Sequence, residues 1–174
     1  MADPDLDKIM WHRPEQRGII PLDRVRLSRS LRKEVQRGTF TITVNTCFAD
    51  VIEACADRED TWINGEIIDA YTELHELGHA HSIEAWHGSV LVGGLYGVAI
   101  GGAFFGESMF SLQSNASKVA FAHLVYRLNI QGFRLLDTQY VNDFTASLGA
   151  IEIPDVVYHM LLADALQATC SFAE

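Results

Sequence analysis

Two short segments put polar groups where a buried strand would carry apolar ones. In Phe104-Phe-Gly-Glu107-Ser-Met-Phe110, one carboxylate stands among three phenylalanines and a methionine. In Phe133-Arg-Leu-Leu-Asp137-Thr-Gln139-Tyr140, an aspartate and a glutamine close an apolar run at i and i+2, on one face of a strand. A charge in such surroundings is costly unless paired, so its presence points to function. Asp137, Gln139 and Glu107 are therefore candidate functional residues. The alternative is structural: each carboxylate would cap a neighbouring helix.

Other patterns carry less. His75-Glu-Leu-Gly-His79 matches the HExxH spacing of zinc peptidases, which needs both histidines on one helical face. Gly78 falls where a helix C-cap belongs and Ala80 onward reads as strand, so the helix is expected to end before His79. The glycines of Val92-Gly-Gly-Leu-Tyr-Gly-Val-Ala-Ile-Gly-Gly102 form neither GxGxxG nor a P-loop. Inside a strand they mark a bulge or a close backbone approach. Asn115-Ala-Ser117 is formally a glycosylation sequon and reads better as a helix cap.

The elements that must hold these residues are legible in outline. Ser28 caps a helix that places Leu31 and Val35 on one side, Arg29, Arg32, Lys33 and Gln36 on the other, and stops at Gly38. Thr39 to Asn45 alternates as a strand. Asn45 or Thr46 is expected to cap a helix with Phe48, Val51, Ile52 and Cys55 inward, and a second helix runs from Gly65 to Leu77. His81–Trp86 and Val90–Ile100 read as a hairpin about His87-Gly-Ser89, with Gly102–Gly106 continuing the sheet. Asn115 is expected to cap a helix from Ala116 to Asn129, followed by a strand Phe133–Gln139 and helices at Asn142–Leu148 and Asp155–Gln167. The order is that of an α/β (α+β) domain built on one central mixed sheet.

Composition narrows the class. At 174 residues and 48% hydrophobic, the chain is long enough for one well-cored domain. No run reaches the ~18–20 apolar residues of a membrane helix. Met1-Ala-Asp-Pro-Asp5 lacks the basic and apolar regions of a signal peptide, and Cys47, Cys55 and Cys170 form no CxxC pair, so a cytoplasmic protein is expected. The net charge of −10 argues against a general nucleic-acid coat. Yet eight cations (Arg13, Arg17, Arg24, Arg26, Arg29, Arg32, Lys33, Arg37) face only Glu15, Asp23 and Glu34 in the stretch from 13 to 37, a basic corner able to hold phosphates.

Several blocks occur together and in order: Thr61-Trp-Ile63, Leu74-His-Glu-Leu-Gly-His-Ala-His-Ser-Ile-Glu84, Leu91-Val-Gly-Gly-Leu-Tyr-Gly-Val98, Phe105-Gly-Glu-Ser-Met-Phe-Ser111, Asn115-Ala-Ser-Lys118 and Ser147-Leu-Gly-Ala150. With Ser28-Arg-Ser30 and Leu136-Asp-Thr-Gln139, they resemble the signature blocks of the leucyl/phenylalanyl-tRNA–protein transferases, from about Trp11 to Pro154. The resemblance implies a GNAT-like acyltransferase fold over residues 28–174. Residues 1–27 would form an arm left at the junction with a further N-terminal domain. It implies transfer of leucine, phenylalanine or methionine from the acceptor end of an aminoacyl-tRNA to the α-amine of a protein beginning with Arg or Lys, marking it for degradation. No cofactor or metal is expected, no membrane, and a monomer.

Carried over residue by residue, the resemblance makes Asp137 and Gln139 the positions that orient the attacking amine and Glu107 the supporting carboxylate. Gln139 is a poor base, so it is expected to position the amine while Asp137 and Glu107 hold it and balance its charge. Trp62 would lie beside the terminal adenosine. Leu95, Phe104, Met109, Leu124 and Leu136 would line the donor pocket, with ordinary core packing as the competing reading for all five. The face of Arg29, Arg32 and Lys33 would follow the acceptor-stem phosphates. The alternatives are a small-molecule GNAT N-acyltransferase, which lacks a visible pyrophosphate loop here, and an inactive tRNA- or degron-binding form.

Overall fold

Ser28 and Gly38 delimit the first long helix by their own chemistry. The Ser28 hydroxyl accepts the Leu31 N–H at 3.1 Å, and Gly38 takes the left-handed conformation at φ 64° that ends the helix. The computed structural model describes residues 12–58 and 61–173, together with two-residue strands β1 (Ala2–Asp3) and β2 (Lys8–Ile9). The remaining strands are β3 (Gln16–Ile19), β4 (Thr41–Val44), β5 (Ala80–His87), β6 (Val90–Ile100), β7 (Ala103–Ser111), β8 (Leu135–Gln139) and β9 (Ile151–Pro154). The helices are α1 (Arg29–Arg37), α2 (Phe48–Ala56), α3 (Gly65–Glu76), α4 (Ala116–Ile130), α5 (Asp143–Ser147) and α6 (Asp155–Ala165).

β4 to β9 and β3 form one seven-stranded mixed sheet in the order β4-β5-β6-β7-β8-β3-β9. Among the described residues only β7 and β8 run parallel; the other pairs of this sheet are antiparallel. One core packs α4 on the sheet through Leu124, Leu128, Leu95 and Leu136. A second packs α2 and α3 through Val51, Ile52, Ile67 and Tyr96. Leu95 and Tyr96 are successive residues serving different cores, as strand alternation requires. The fold class read from the sequence, a central mixed sheet flanked by helices, is the one observed.

The strand glycines do what their position implied. A Cβ on Gly93 would lie 2.6 Å from that of Ala116, so α4 rests directly on backbone there. A Cβ on Gly97 would meet the Phe105 carbonyl at 2.3 Å, at the register shift between Tyr96 and Gly97.

Several expectations are corrected. Asn45 does not cap α2: at φ 57° it leaves the extended conformation a cap needs, and its side chain instead accepts the Ser82 N–H at 3.0 Å. Asn115 does hold the N-cap position of α4, as expected, but at φ 69° its side chain makes no cap bond. Gly102–Gly106 continues the sheet as expected, but with other bounds: Gly101 and Gly102 turn the chain, and β7 runs from Ala103 to Ser111. The strand Phe133–Gln139 begins at Leu135. Residues 16–19, assigned from sequence to an N-terminal arm, form an interior strand of the sheet between β8 and β9. β9 was not foreseen.

Candidate active site

β7 and β8 pair only through Ala103–Leu135, Phe104–Leu136 and Phe105–Asp137. Beyond that point β7 continues beside β6, while β8 pairs with β3 through Gly18 and Gln139. A cavity of about 270 Å³ opens where they part, with Gly106 and Glu107 of β7 on one wall and Thr138 of β8 on the other. Leu95, Met109, Phe121, Leu124 and Leu136 supply apolar surface, and Trp62 also lines it. α5 and its flanks close the remaining side with Asn142, Phe144 and Leu148.

Asp137 is fully buried beneath this wall. Arg17 of β3 grips it with Nη2 on Oδ2 at 2.8 Å and Nε 3.1 Å from both oxygens. The Tyr158 hydroxyl of α6 donates to Oδ2 at 2.6 Å, and the Gln139 N–H donates to Oδ1 at 2.7 Å. A carboxylate has about four acceptor sites, and here they are taken. Burial, then the bond to Asp137, pushes the Tyr158 phenol above its ordinary range, so it stays protonated as a donor. Asp137 thus faces three parts of the protein and leaves no oxygen for a substrate amine, against the expectation that it would hold one.

What Asp137 holds is Gln139. That residue lies at φ 64°, a left-handed conformation uncommon for a side-chain-bearing residue, and its N–H bond to Asp137 spans the turn. The side chain then reaches across the split, where Nε2 donates to Glu107 Oε2 at 3.2 Å. Gln139 keeps its amide oxygen as an acceptor. The Tyr71 hydroxyl of α3 also bonds Glu107. Burial raises the Glu107 pKa above its ordinary 4.5, opposed by the bonds from Tyr71 and Gln139. Glu107 is the carboxylate on the cavity wall, and it binds a proton more readily than an exposed glutamate.

Of the pocket residues read from sequence, Trp62, Leu95, Met109, Leu124 and Leu136 line the cavity. Phe104 does not: it is fully buried in the core, its ring stacked 5.1 Å from Phe172. Arg29, Arg32 and Lys33 lie exposed along one side of α1, with Leu31 buried opposite. His75 is bonded to the Ala80 carbonyl and stacked on Phe48, while His79 lies past the end of α3, so the two histidines of HELGH share no helical face. Sequence reading missed Arg17 and Tyr158 as partners of Asp137, and Arg58, whose guanidinium donates to Ser108 Oγ at 2.8 Å on the cavity wall. No local pattern marks the first two, because the contacts span 120 and 21 residues.

Fold and site together define an apolar pocket beside a paired amide and carboxylate. The family described as leucyl/phenylalanyl-tRNA protein transferase matches residues 19–163. The chain is 54% identical over 168 residues to the leucyl/phenylalanyl-tRNA–protein transferase of Ruegeria sp. (strain TM1040), covering 97% of this chain and 80% of that protein. It is 51% identical over 172 residues to the transferase of that name from Rhodospirillum rubrum, covering 97% and 81%. Among solved structures it resembles that of L-PGS from Bacillus licheniformis, with TM-score 0.55 and 11% identity over 87% of this chain and 65% of the other. Identity so low speaks to the fold alone. The chain belongs to the leucyl/phenylalanyl-tRNA protein transferase family and is an aminoacyltransferase.

Proposed function

We propose that the protein moves leucine, phenylalanine or methionine from an aminoacyl-tRNA onto the α-amine of proteins beginning with Arg or Lys, marking them for degradation. The observation that carries this reading is the apolar cavity at the split between β7 and β8, with the Glu107–Gln139 pair on its wall. The donor's side chain occupies the surface of Leu95, Met109, Leu124 and Leu136, where the methionine thioether adapts to branched and aromatic shapes. Trp62 takes the terminal adenosine by stacking.

The acceptor amine is held by the Gln139 amide oxygen, and its nitrogen attacks the ester carbonyl carbon. Glu107 takes the proton the amine loses. The bond from that carbon to the tRNA ribose oxygen breaks, and the ribose oxygen leaves with the proton that Glu107 took from the amine, which resets the carboxylate. The product is an amide. Glu107 also supplies the negative charge that suits an acceptor beginning with a cation, since Asp137 is already neutralised by Arg17. Among the described residues no helix is long and apolar enough to cross a membrane. Action in the cytosol, as a monomer, is part of the same proposal.

Radiolabelled leucine on Leu-tRNA, incubated with an Arg-starting protein, should become acid-precipitable with that protein and not with a Glu-starting one. Equal labelling of both would defeat the acceptor assignment; no labelling of either by the folded chain would leave a binding-only form. The exposed face of α1 carries a separate expectation. Replacing Arg29, Arg32 and Lys33 together by alanine should raise KM for tRNA and leave kcat nearly unchanged. It should also flatten the salt dependence of binding by about one log–log unit for each phosphate no longer engaged.

A further inference from the structure

Two buried polar atoms on residues that line the cavity stand out because nothing among the described residues satisfies them. The Tyr96 hydroxyl and Thr138 Oγ1 are buried and without a hydrogen-bond partner, and both residues line the cavity that holds Glu107. Tyr96 is fully buried on β6, and Thr138 follows Asp137 on β8. Buried hydroxyls are nearly always bonded, because an orphan forfeits its water for nothing. Two orphans on one small cavity indicate groups kept for a visitor.

Their chemistry says what kind. Burial, and then the field of Glu107, drives the Tyr96 phenol far above its ordinary range, so it remains a neutral donor at any working pH. A threonine hydroxyl is likewise a neutral donor. Glu107 and the Gln139 oxygen accept, and therefore suit an amine. The complementary need in aminolysis is for donors at the carbonyl oxygen, which gains negative charge when the amine nitrogen bonds to the carbonyl carbon and loses it when the ribose oxygen departs. We infer that Tyr96 and Thr138 donate to that oxygen as it becomes an oxyanion. The inference rests on the aminolysis reading above. The hydroxyls take no proton in the step and need none; preorganised donors in a dry site lower the barrier by meeting charge as it develops.

The test uses the full chain, Leu-tRNA and an Arg-starting protein, with Tyr96→Phe, Thr138→Val and Thr138→Ser, following kcat, KM and the melting temperature. Tyr96→Phe and Thr138→Val should each lower kcat by about 10²-fold or more, the scale of losing one oxyanion donor, with KM within about twofold. Thr138→Ser, which restores a hydroxyl, should recover most of the rate. The melting temperatures of the Phe and Val variants should equal or exceed that of the parent, because each removes an unsatisfied group and keeps the shape. A donor with a merely structural role would show the reverse, a lower melting temperature with kcat intact, and that result overturns the inference. So does an unchanged kcat in both variants of an active parent. An inactive parent that binds Leu-tRNA would instead sink the aminolysis reading, and this inference with it.

Discussion

Replacing Asp137 with alanine should remove both transfer and a large share of stability. The carboxylate is the shared acceptor for Arg17, Tyr158 and the Gln139 N–H, brought from β3, α6 and β8. Deleting it leaves a guanidinium whose side chain is only 20% exposed with no counter-charge, and a buried phenol with no acceptor. Breaking such a pair by removing one partner costs about 3–5 kcal/mol, against a total of roughly 5–15 kcal/mol for a domain. Activity should fall by at least about 10²-fold, because Gln139 loses the bond that holds its left-handed turn and small misplacements of a positioning group have that effect. Asp137→Asn keeps the shape and loses the charge. It should fold with a smaller deficit in urea midpoint, and Arg17→Met added to it should recover stability by removing the stranded cation. A variant pair whose midpoints do not move in these directions would mean that the Arg17–Asp137 contact contributes little.

Glu107→Gln should separate activity from stability in the opposite sense. Losing the proton acceptor beside the amine should lower kcat by about 10²- to 10⁴-fold, the usual range for general-base catalysis. Stability should hold or improve near neutral pH. The folded-state pKa of Glu107 is raised, so its favourable contribution is fully present below the ordinary 4.5 and is lost as pH rises through the folded value. The parent should therefore lose melting temperature relative to Glu107→Gln on going from acid to neutral pH. The parent's kcat should also show an acid limb above the ordinary glutamate range, and the Gln variant should lack it. A parent limb that persists in the variant would assign that titration to another group.

Legibility in the sequence followed the range of the interactions. α1 was readable to within a residue because Ser28 and Gly38 act on their own neighbours. The β5–β6 hairpin was readable from alternation and the turn at Gly88, which lies at φ 62°. Asn45 misled because asparagine serves caps and left-handed turns alike, and only the contact with Ser82 decides for it. β3 and β9 are four residues each, too short to show a period, and exist by pairing with each other. The same division runs through the site. Glu107, Asp137 and Gln139 announced themselves as polar residues in apolar strands, whereas which carboxylate faces the cavity depends on Arg17, 120 residues away. Phe104 and Leu136 looked alike in sequence, and only Leu136 reaches the cavity because the strands part just beyond it.

The place of β3 in the sheet has a consequence for when the protein becomes active. Its neighbours are β8 and β9, so residues 16–19 find no partner in the sheet until the segment from 135 to 154 exists. During translation α1 to α4 and β4 to β7 can assemble early, as they pair and pack with one another. Arg17 meets Asp137 only after the ribosome has made β8, and Tyr158 follows later still. A nascent chain stalled before residue 135 should accordingly bury much of its core yet transfer nothing. An enzyme that draws on charged tRNA would then stay silent for most of its own synthesis, with the first strand of its sheet among the last to be seated.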